Sequence, residues 1–241
     1  MEKREYKTAI EQQHVDLTLR ASIPSMIHSV VSTAGYDADK NGFGVNEMQK
    51  SDRSWVLLKF AMELDFRPGM HQQVNIETWI YDIHRVLTTR NFTLRDDGGN
   101  IFGWAISQWC MIDLKRRRAI DLSSMASDFA PYIIDDRSPL SPPKRLGALS
   151  SEAVAEMRVS YSGIDFNGHF NAIRYIEFML DQLPLSIIEN SCGLRVDLNF
   201  ISECYYGEQL SVKYEQKGDI SLFEIRKGDG STAVRGAFEW R

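Results

Sequence analysis

Helix-like and strand-like text occurs twice in this chain in the same order, and that duplication limits its fold more than any other feature. In the first half, Ser22 is placed to cap a helix whose apolar stripe is Ile23, Met26, Ile27, Val30, Val31 and Ala34, with Gly35 as the stop. In the second half, Phe170, Ile173, Ile176, Leu180 and Leu183 form a comparable stripe after Asn167–His169. Strand-like alternation follows each helix, with Phe60, Met62, Leu64 and Phe66 in one half and Val196, Leu198 and Phe200 in the other. Gln73-Val74-Asn75-Ile76 then matches Gln209-Leu210-Ser211-Val212, 136 residues on. Leu94-Arg95-Asp96 and Trp109 match Ile225-Arg226-Lys227 and Trp240, 131 residues on, so the second half has the shorter connection.

A helix followed by several antiparallel strands, repeated once, is an α+β duplication. A hydrophobic helix with a meandering sheet to wrap it suggests two tandem hot-dog domains, although periodicity alone does not separate that from other helix-on-sheet layouts. The divide falls at 127–150, SDFAPYIIDDRSPLSPPKRLGALS, which holds four of the seven prolines and no periodic pattern. The expected organisation is therefore an N-terminal domain over 1–126, a linker over 127–150 and a C-terminal domain over 151–241.

Net charge is -5, which argues against wholesale nucleic-acid binding and leaves any anionic partner to a local basic patch. The N-terminus MEKREYKTAIEQQHVDL has no apolar core and is no signal peptide, and no apolar run is long enough to span a bilayer. Cys110, Cys192 and Cys204 are an odd number without CxxC spacing, against both a disulfide framework and a zinc site. A reducing cytoplasm is the plain reading.

The densest polar cluster is Asp165-Phe166-Asn167-Gly168-His169-Phe170-Asn171, directly before the second helix. Such residues cap helices and make turns. The same geometry can build a reaction site, because free backbone N–H groups and the helix dipole would favour a developing oxyanion. A carboxylate, Glu203, follows in the next strand-like stretch, with Cys204 beside it. Alternation from Val196 would put Ser202 and Cys204 on one face and Glu203 on the other, unless a bulge shifts the register.

The run D-F-N-G-H-F-N-A-I-R-Y-I-E, from Asp165 to Glu177, resembles the D-x-N-x-H-x-N-x-x-x-Y motif of plant and bacterial acyl–acyl carrier protein thioesterases. Leu198-Asn199-Phe200-Ile201-Ser202-Glu203-Cys204 resembles that family's L-x-Y-x-x-E-C segment. In the first half, Trp55-Val56-Leu57 resembles W-V-V, Val74–Trp79 resembles V-Q-V-D-T-W, and Ser107–Met111 resembles S-x-W-V-M. The sequence departs from the family in lacking the plastid-targeting extension of plant members and in carrying Phe200 where Tyr is usual. The resemblance implies catalytic groups in the C-terminal domain: Asp165, Asn167, His169 and Glu203, with Cys204 at the position once assigned as a papain-like nucleophile. It implies acyl carrier protein as the partner that delivers the substrate, and it calls for no cofactor and no metal. A homodimer is compatible with it.

Two chemistries fit these residues. In the preferred one, Glu203 is general base toward water, with direct nucleophilic attack by its carboxylate as the lesser variant. Asn167 and His169 position water and thioester, Asp165 holds the loop, and backbone N–H groups near the helix start take the oxyanion. In the other, Cys204 is the nucleophile and His169 its base. An acyl-CoA thioesterase is the near alternative. A hot-dog hydratase or dehydratase is a remoter one, because its D-x-N-P-x-H spacing puts His five residues after Asp and here it is four. A non-catalytic acyl-sensing module is a third. The first half carries Ser22-Ile23-Pro24-Ser25 at its helix start in place of the D-x-N-x-H cluster, which suits it to hold an alkyl chain. Met26, Ile27, Val30, Val31, Trp55 and Leu57 are the expected pocket residues. Lys115-Arg116-Arg117-Arg118 is the expected docking surface for an acidic carrier, with Lys144-Arg145 as a weaker second.

Overall fold

The chain divides into two units, one ending at Pro143 and the other spanning Lys144–Arg241, in a computed structural model that describes residues 2–241. The first unit runs β1 (Arg4–Ala9), α1 (Ile23–Lys40), α2 (Val45–Lys50), β2 (Arg53–Leu64), β3 (Gln73–His84), β4 (Leu87–Arg95), β5 (Ile101–Asp113), the two-residue β6 (Arg118–Ala119) and the short α3 (Ala126–Phe129). The second runs β7 (Ala153–Arg158), α4 (Ala172–Leu180), α5 (Leu185–Asn190), β8 (Leu194–Phe200), β9 (Gln209–Lys217), β10 (Ile220–Lys227) and β11 (Thr232–Trp240).

Strand order is β1-β3-β4-β5-β2 in the first unit and β7-β9-β10-β11-β8 in the second, the same order twice and antiparallel throughout. β3 and β9 both begin at the glutamine that the sequence match pairs, and Trp109 and Trp240 lie on β5 and β11. Each unit is a helix wrapped by an antiparallel sheet, the hot-dog arrangement.

Ser22 does cap α1, its Oγ accepting from the Ser25 N–H at 3.3 Å, and Pro24 stands in the first turn, where its missing N–H costs nothing. A cap of this kind contributes about 1 kcal/mol. Gly35, however, does not stop the helix, which continues to Lys40. The reason is charge. Two residues on, Asp37 is buried against Arg90 at 2.6 Å and Arg4 at 3.1 Å, with the Tyr6 hydroxyl at 3.3 Å. A buried carboxylate and guanidinium each need the other, which fixes the extra turn. Burial, then the Asp37 charge, pushes the Tyr6 hydroxyl upward. Met26, Ile27 and Val30 are fully buried as expected, but Val31 is half-buried and Thr33 takes its place on the inner face.

The second helix is shorter than its stripe implied. α4 ends at Leu180, and Pro184, four residues on, has no N–H to give the Leu180 carbonyl and its ring would clash with it. Its buried residues are Tyr175, Ile176, Phe178 and Met179, while Ile173 and Leu180 are only half-buried. The helix lies close on its sheet: a Cβ at Gly236 in β11 would meet Met179 Sδ at 2.6 Å.

The proline-rich segment is not a free tether, and the unit boundary falls inside it. Ile133 bridges to Ile80, the Asp136 carbonyl accepts from Trp79 Nε1 at 2.8 Å, and Leu140 is buried against Ala61 and Ile106. From Lys144 onward the segment straps the outer face of the second sheet. Lys144 N–H donates to Asp197 Oδ1 at 2.8 Å, Leu146 N–H to Asn199 Oδ1 at 2.9 Å, and Leu149 N–H to Glu224 Oε2 at 2.8 Å. That strap explains why β8 buries polar residues between its apolar ones: Asp197 and Asn199 each accept a main-chain N–H of the strap, and Arg195 donates to the Asp197 carboxylate at 2.9 Å. Burial opposes the Glu224 charge, but the Leu149 N–H, Thr232 and Arg235 together hold its carboxyl below the usual range.

Candidate active site

The D-x-N-x-H cluster forms a tight loop before α4, built around one carboxylate. Asp165 Oδ1 accepts from the N–H groups of Asn167 at 2.8 Å and His169 at 3.1 Å. The Asp165 N–H donates to the His169 carbonyl and the Gly168 N–H to the Asp165 carbonyl. Gly168 takes φ +80°, a left-handed conformation that glycine adopts without strain. Asn171 then caps α4, its Oδ1 accepting from Ile173 N–H at 2.8 Å.

These bonds overturn one expectation. Phe170 N–H goes to the Cys204 carbonyl, Asn171 N–H to Gly163 and Arg174 N–H to Asn171. The backbone donors of residues 167–171, 173 and 174 are therefore already committed, and an oxyanion would have to be met chiefly by side chains.

Glu203 and Cys204 do not lie on a strand. β8 ends at Phe200, and the stretch after it is a connection that touches the site through a single bridge between His169 and Tyr205. Face alternation therefore never applies to them. The bridge brings Glu203 to the histidine: His169 Nε2 is 3.5 Å from Glu203 Oε2, with both side chains about a quarter exposed. The Tyr205 hydroxyl donates to the same Oε2 at 2.8 Å. Lys227 Nζ donates to the Glu203 carbonyl at 3.1 Å and pairs with Glu208 at 3.0 Å. A carboxylate and an imidazole in contact, open to water beside an exposed Asn167, can take a proton from water and return it to a leaving group.

Cys204 is fully buried. Burial pushes its thiol up, with the Tyr175 hydroxyl and the Lys227 charge opposing in part. The Tyr175 hydroxyl is itself buried, lacks a well-formed hydrogen bond and faces the thiol, a weak acceptor. Burial, followed by that contact, pushes the phenol far upward. This is the setting of a neutral packed thiol, and His169 Nε2 meets Glu203 instead.

The first unit contains the counterpart loop, and it lies before Ser22 rather than at it. The match to Asp165–Asn171 is Asp16-Leu17-Thr18-Leu19-Arg20-Ala21-Ser22, 149 residues earlier, not the stretch that starts at Ser22. Asp16 Oδ1 accepts from Thr18 N–H at 2.9 Å, Leu19 stands at φ +57° where Gly168 stands, and Ala21 N–H donates to Pro68 as Phe170 does to Cys204. Arg20 bridges Gly69 as His169 bridges Tyr205. At the position of Glu203 stands Arg67, which pairs with Asp16 Oδ2 and donates to the Ala21 carbonyl at 3.2 Å. A buried ion pair thus closes in the first unit the spot that the second leaves open. The signal was available as a D-x-T-x-R-x-S run followed by Arg67.

Of the expected pocket residues, Met26, Ile27 and Val30 face inward from α1, whereas Leu57 is half-buried beside a register shift in β2. Trp55 packs with Phe43 and Phe129 and donates from Nε1 to the Phe43 carbonyl at 3.0 Å, which makes it part of a local aromatic cluster. The expected docking cations are exposed, Lys115, Arg116 and Arg117 in the turn between β5 and β6 and Arg118 at the start of β6. Lys115 is paired with Asp52 at 2.5 Å and Arg116 approaches Asp113 at 3.8 Å, so part of the turn's charge is locally compensated. Lys144 pairs with Glu239 and belongs to the strap.

No helix among the described residues is long and apolar enough to cross a membrane. A crystal structure of an acyl-ACP thioesterase from Bacteroides thetaiotaomicron matches with a TM-score of 0.92 and 30% identity, covering 99% of this chain and 98% of that one. The fold is also that of the 12:0-ACP thioesterase from Umbellularia californica, with a TM-score of 0.87, 23% identity, 99% of this chain and 97% of that one. Among curated relatives, an acyl-[acyl-carrier-protein] hydrolase from Cuphea viscosissima is 26% identical over 216 residues, 83% of this chain and 52% of its own length. The chain thus spans about half the length of the curated relatives it matches. The family model for the acyl-ACP thioesterase N-terminal domain matches residues 2–130 and that for the C-terminal domain matches 147–241, and the chain belongs to the acyl-ACP thioesterase family.

Proposed function

We propose that this chain hydrolyses fatty acyl thioesters borne on acyl carrier protein, releasing free fatty acid and the carrier thiol. The observation that carries the reading is the Glu203–His169 pair, held beside the Asp165 loop and open to water. Glu203 takes the proton as water attacks the carbonyl carbon. The Asn167 amide and His169 meet the oxygen that gains charge. The tetrahedral intermediate then expels the thiolate, and the proton passes from Glu203 by way of His169 to the sulfur. Asp165 is a positioning residue, its carboxylate spent on the loop. The membership of the family and the names of its relatives support the carrier-bound substrate. The exposed turn at Lys115–Arg118 is the proposed docking face for that acidic carrier, and the unpaired thiols fit a reducing cytoplasm. Incubation with acyl–carrier protein, acyl-CoA and enoyl-CoA is the test. Release of fatty acid fastest from the carrier supports the reading, and enoyl-CoA hydration would replace it.

Cys204 is expected to have no covalent role. Cys204→Ala and Cys204→Ser should retain substantial turnover, and in the native protein a thiol reagent should label the exposed Cys192 well before Cys204. An acyl-enzyme adduct at Cys204, seen by mass spectrometry, would establish the cysteine route instead.

We propose that the alkyl chain lies against the inner face of α1. Each buried methylene contributes about 0.8 kcal/mol, so pocket volume there should select chain length. Replacing Val30 or Met26 by larger side chains should shift the released fatty acids shorter, and by smaller ones longer. An unchanged product profile across folded, active variants would place the chain elsewhere.

A further inference from the structure

Tyr205 touches both members of the proposed catalytic pair. Its hydroxyl donates to Glu203 Oε2 at 2.8 Å, and its ring stands edge-on to the His169 imidazole, with centroids 5.3 Å apart and planes at 82°. Its backbone forms the bridge to His169 that brings the two segments together. His169 Nε2 approaches the same Oε2 at 3.5 Å. A glutamate side chain has several rotatable bonds, and on a connecting loop only its contacts choose the rotamer. Tyr205 is itself held: its N–H donates to Glu208 Oε2 at 3.1 Å, and Glu208 pairs with Lys227 at 3.0 Å.

The first unit supplies an internal comparison. There the N–H of Gly69 donates to Gln72 Oε1 at 2.6 Å, as that of Tyr205 donates to Glu208, so the two loops share one backbone course. Gly69 stands where Tyr205 stands, and Arg67 where Glu203 stands. The unit without the carboxylate also lacks the phenol that would orient it.

We infer that Tyr205 is a positioning residue for the hydrolysis, its phenol holding the Glu203 carboxylate against His169 in the orientation that accepts a proton from water. The inference rests on the general-base reading above. Tyr205→Phe removes only a hydroxyl from a partly exposed ring, so the fold should persist. Turnover on acyl–carrier protein should fall about tenfold, the usual worth of a hydrogen bond to a charged group, with KM within about twofold of the parent. In a Glu203→Gln background the same substitution should change turnover little further, because the phenol acts only through that carboxylate. Three results would overturn the inference: parental turnover in Tyr205→Phe beside an impaired Glu203→Gln, an equal loss in both backgrounds, or a loss confined to KM. Parental turnover in Glu203→Gln alone would instead sink the general-base reading, and this inference with it, and that outcome is read from a different variant.

Discussion

Glu203→Gln is expected to lower turnover by roughly two to four decades, the usual worth of general-base catalysis, and to leave the fold intact. Glutamine keeps the length and shape of the side chain and can still accept from the Tyr205 hydroxyl, but its amide cannot take a proton from water. The side chain is about a quarter exposed and lies on a connection after β8, so little packing depends on its charge. The loss should appear in kcat on acyl–carrier protein, with KM near the parental value and an unaltered melting temperature. A purified, folded variant that hydrolyses its substrate at the parental rate would leave this carboxylate without a chemical role.

The same aspartate in the two units should behave in opposite ways. In the first, Asp16 is the counter-ion of Arg67, whose side chain is 2% exposed. Asp16→Ala takes a carboxylate from that guanidinium, which keeps its bonds to the Ala21 carbonyl and the Thr18 hydroxyl, and removing one partner of a buried pair costs about 3–5 kcal/mol. For units of this size the melting temperature should fall by on the order of 10 °C. Turnover per folded molecule should stay close to parental, since no group of the proposed reaction is touched. Asp165→Ala removes a carboxylate that serves backbone donors and faces no buried cation. It should therefore cost less stability and most of the turnover, because His169 loses its anchored loop. Thermal denaturation and initial rates on both variants make the comparison. A parental melting temperature for Asp16→Ala would mean that Arg67 is satisfied without it.

The sequence alone determined the duplication, the helix-then-strands succession in each unit and the identity of the polar cluster. All three depend on local pattern: the period of an apolar stripe, the alternation of a strand, and a run of turn and cap residues before a helix. Its errors have a common cause. Gly35 reads as a stop because glycine is a poor helix former, but the buried Asp37–Arg90 pair, between residues 53 apart in sequence, carries the helix past it. Glu203 reads as a strand residue because the alternation before it is regular, yet β8 ends at Phe200 and a single bridge to His169 decides where the carboxylate goes. Of the N–H groups that the helix start seemed to offer, those of residues 167–171, 173 and 174 are taken by acceptors from the 163–171 loop and from Cys204. Most telling is the pair of loops at Asp16 and Asp165, whose backbones follow one course while their chemistry differs. Sequence pattern fixed that course in both units. Only tertiary contact decided that Arg67 would close one loop with an ion pair and that Glu203, oriented by Tyr205, would leave the other open to water, because a charged side chain takes its role from the partner it meets across the fold.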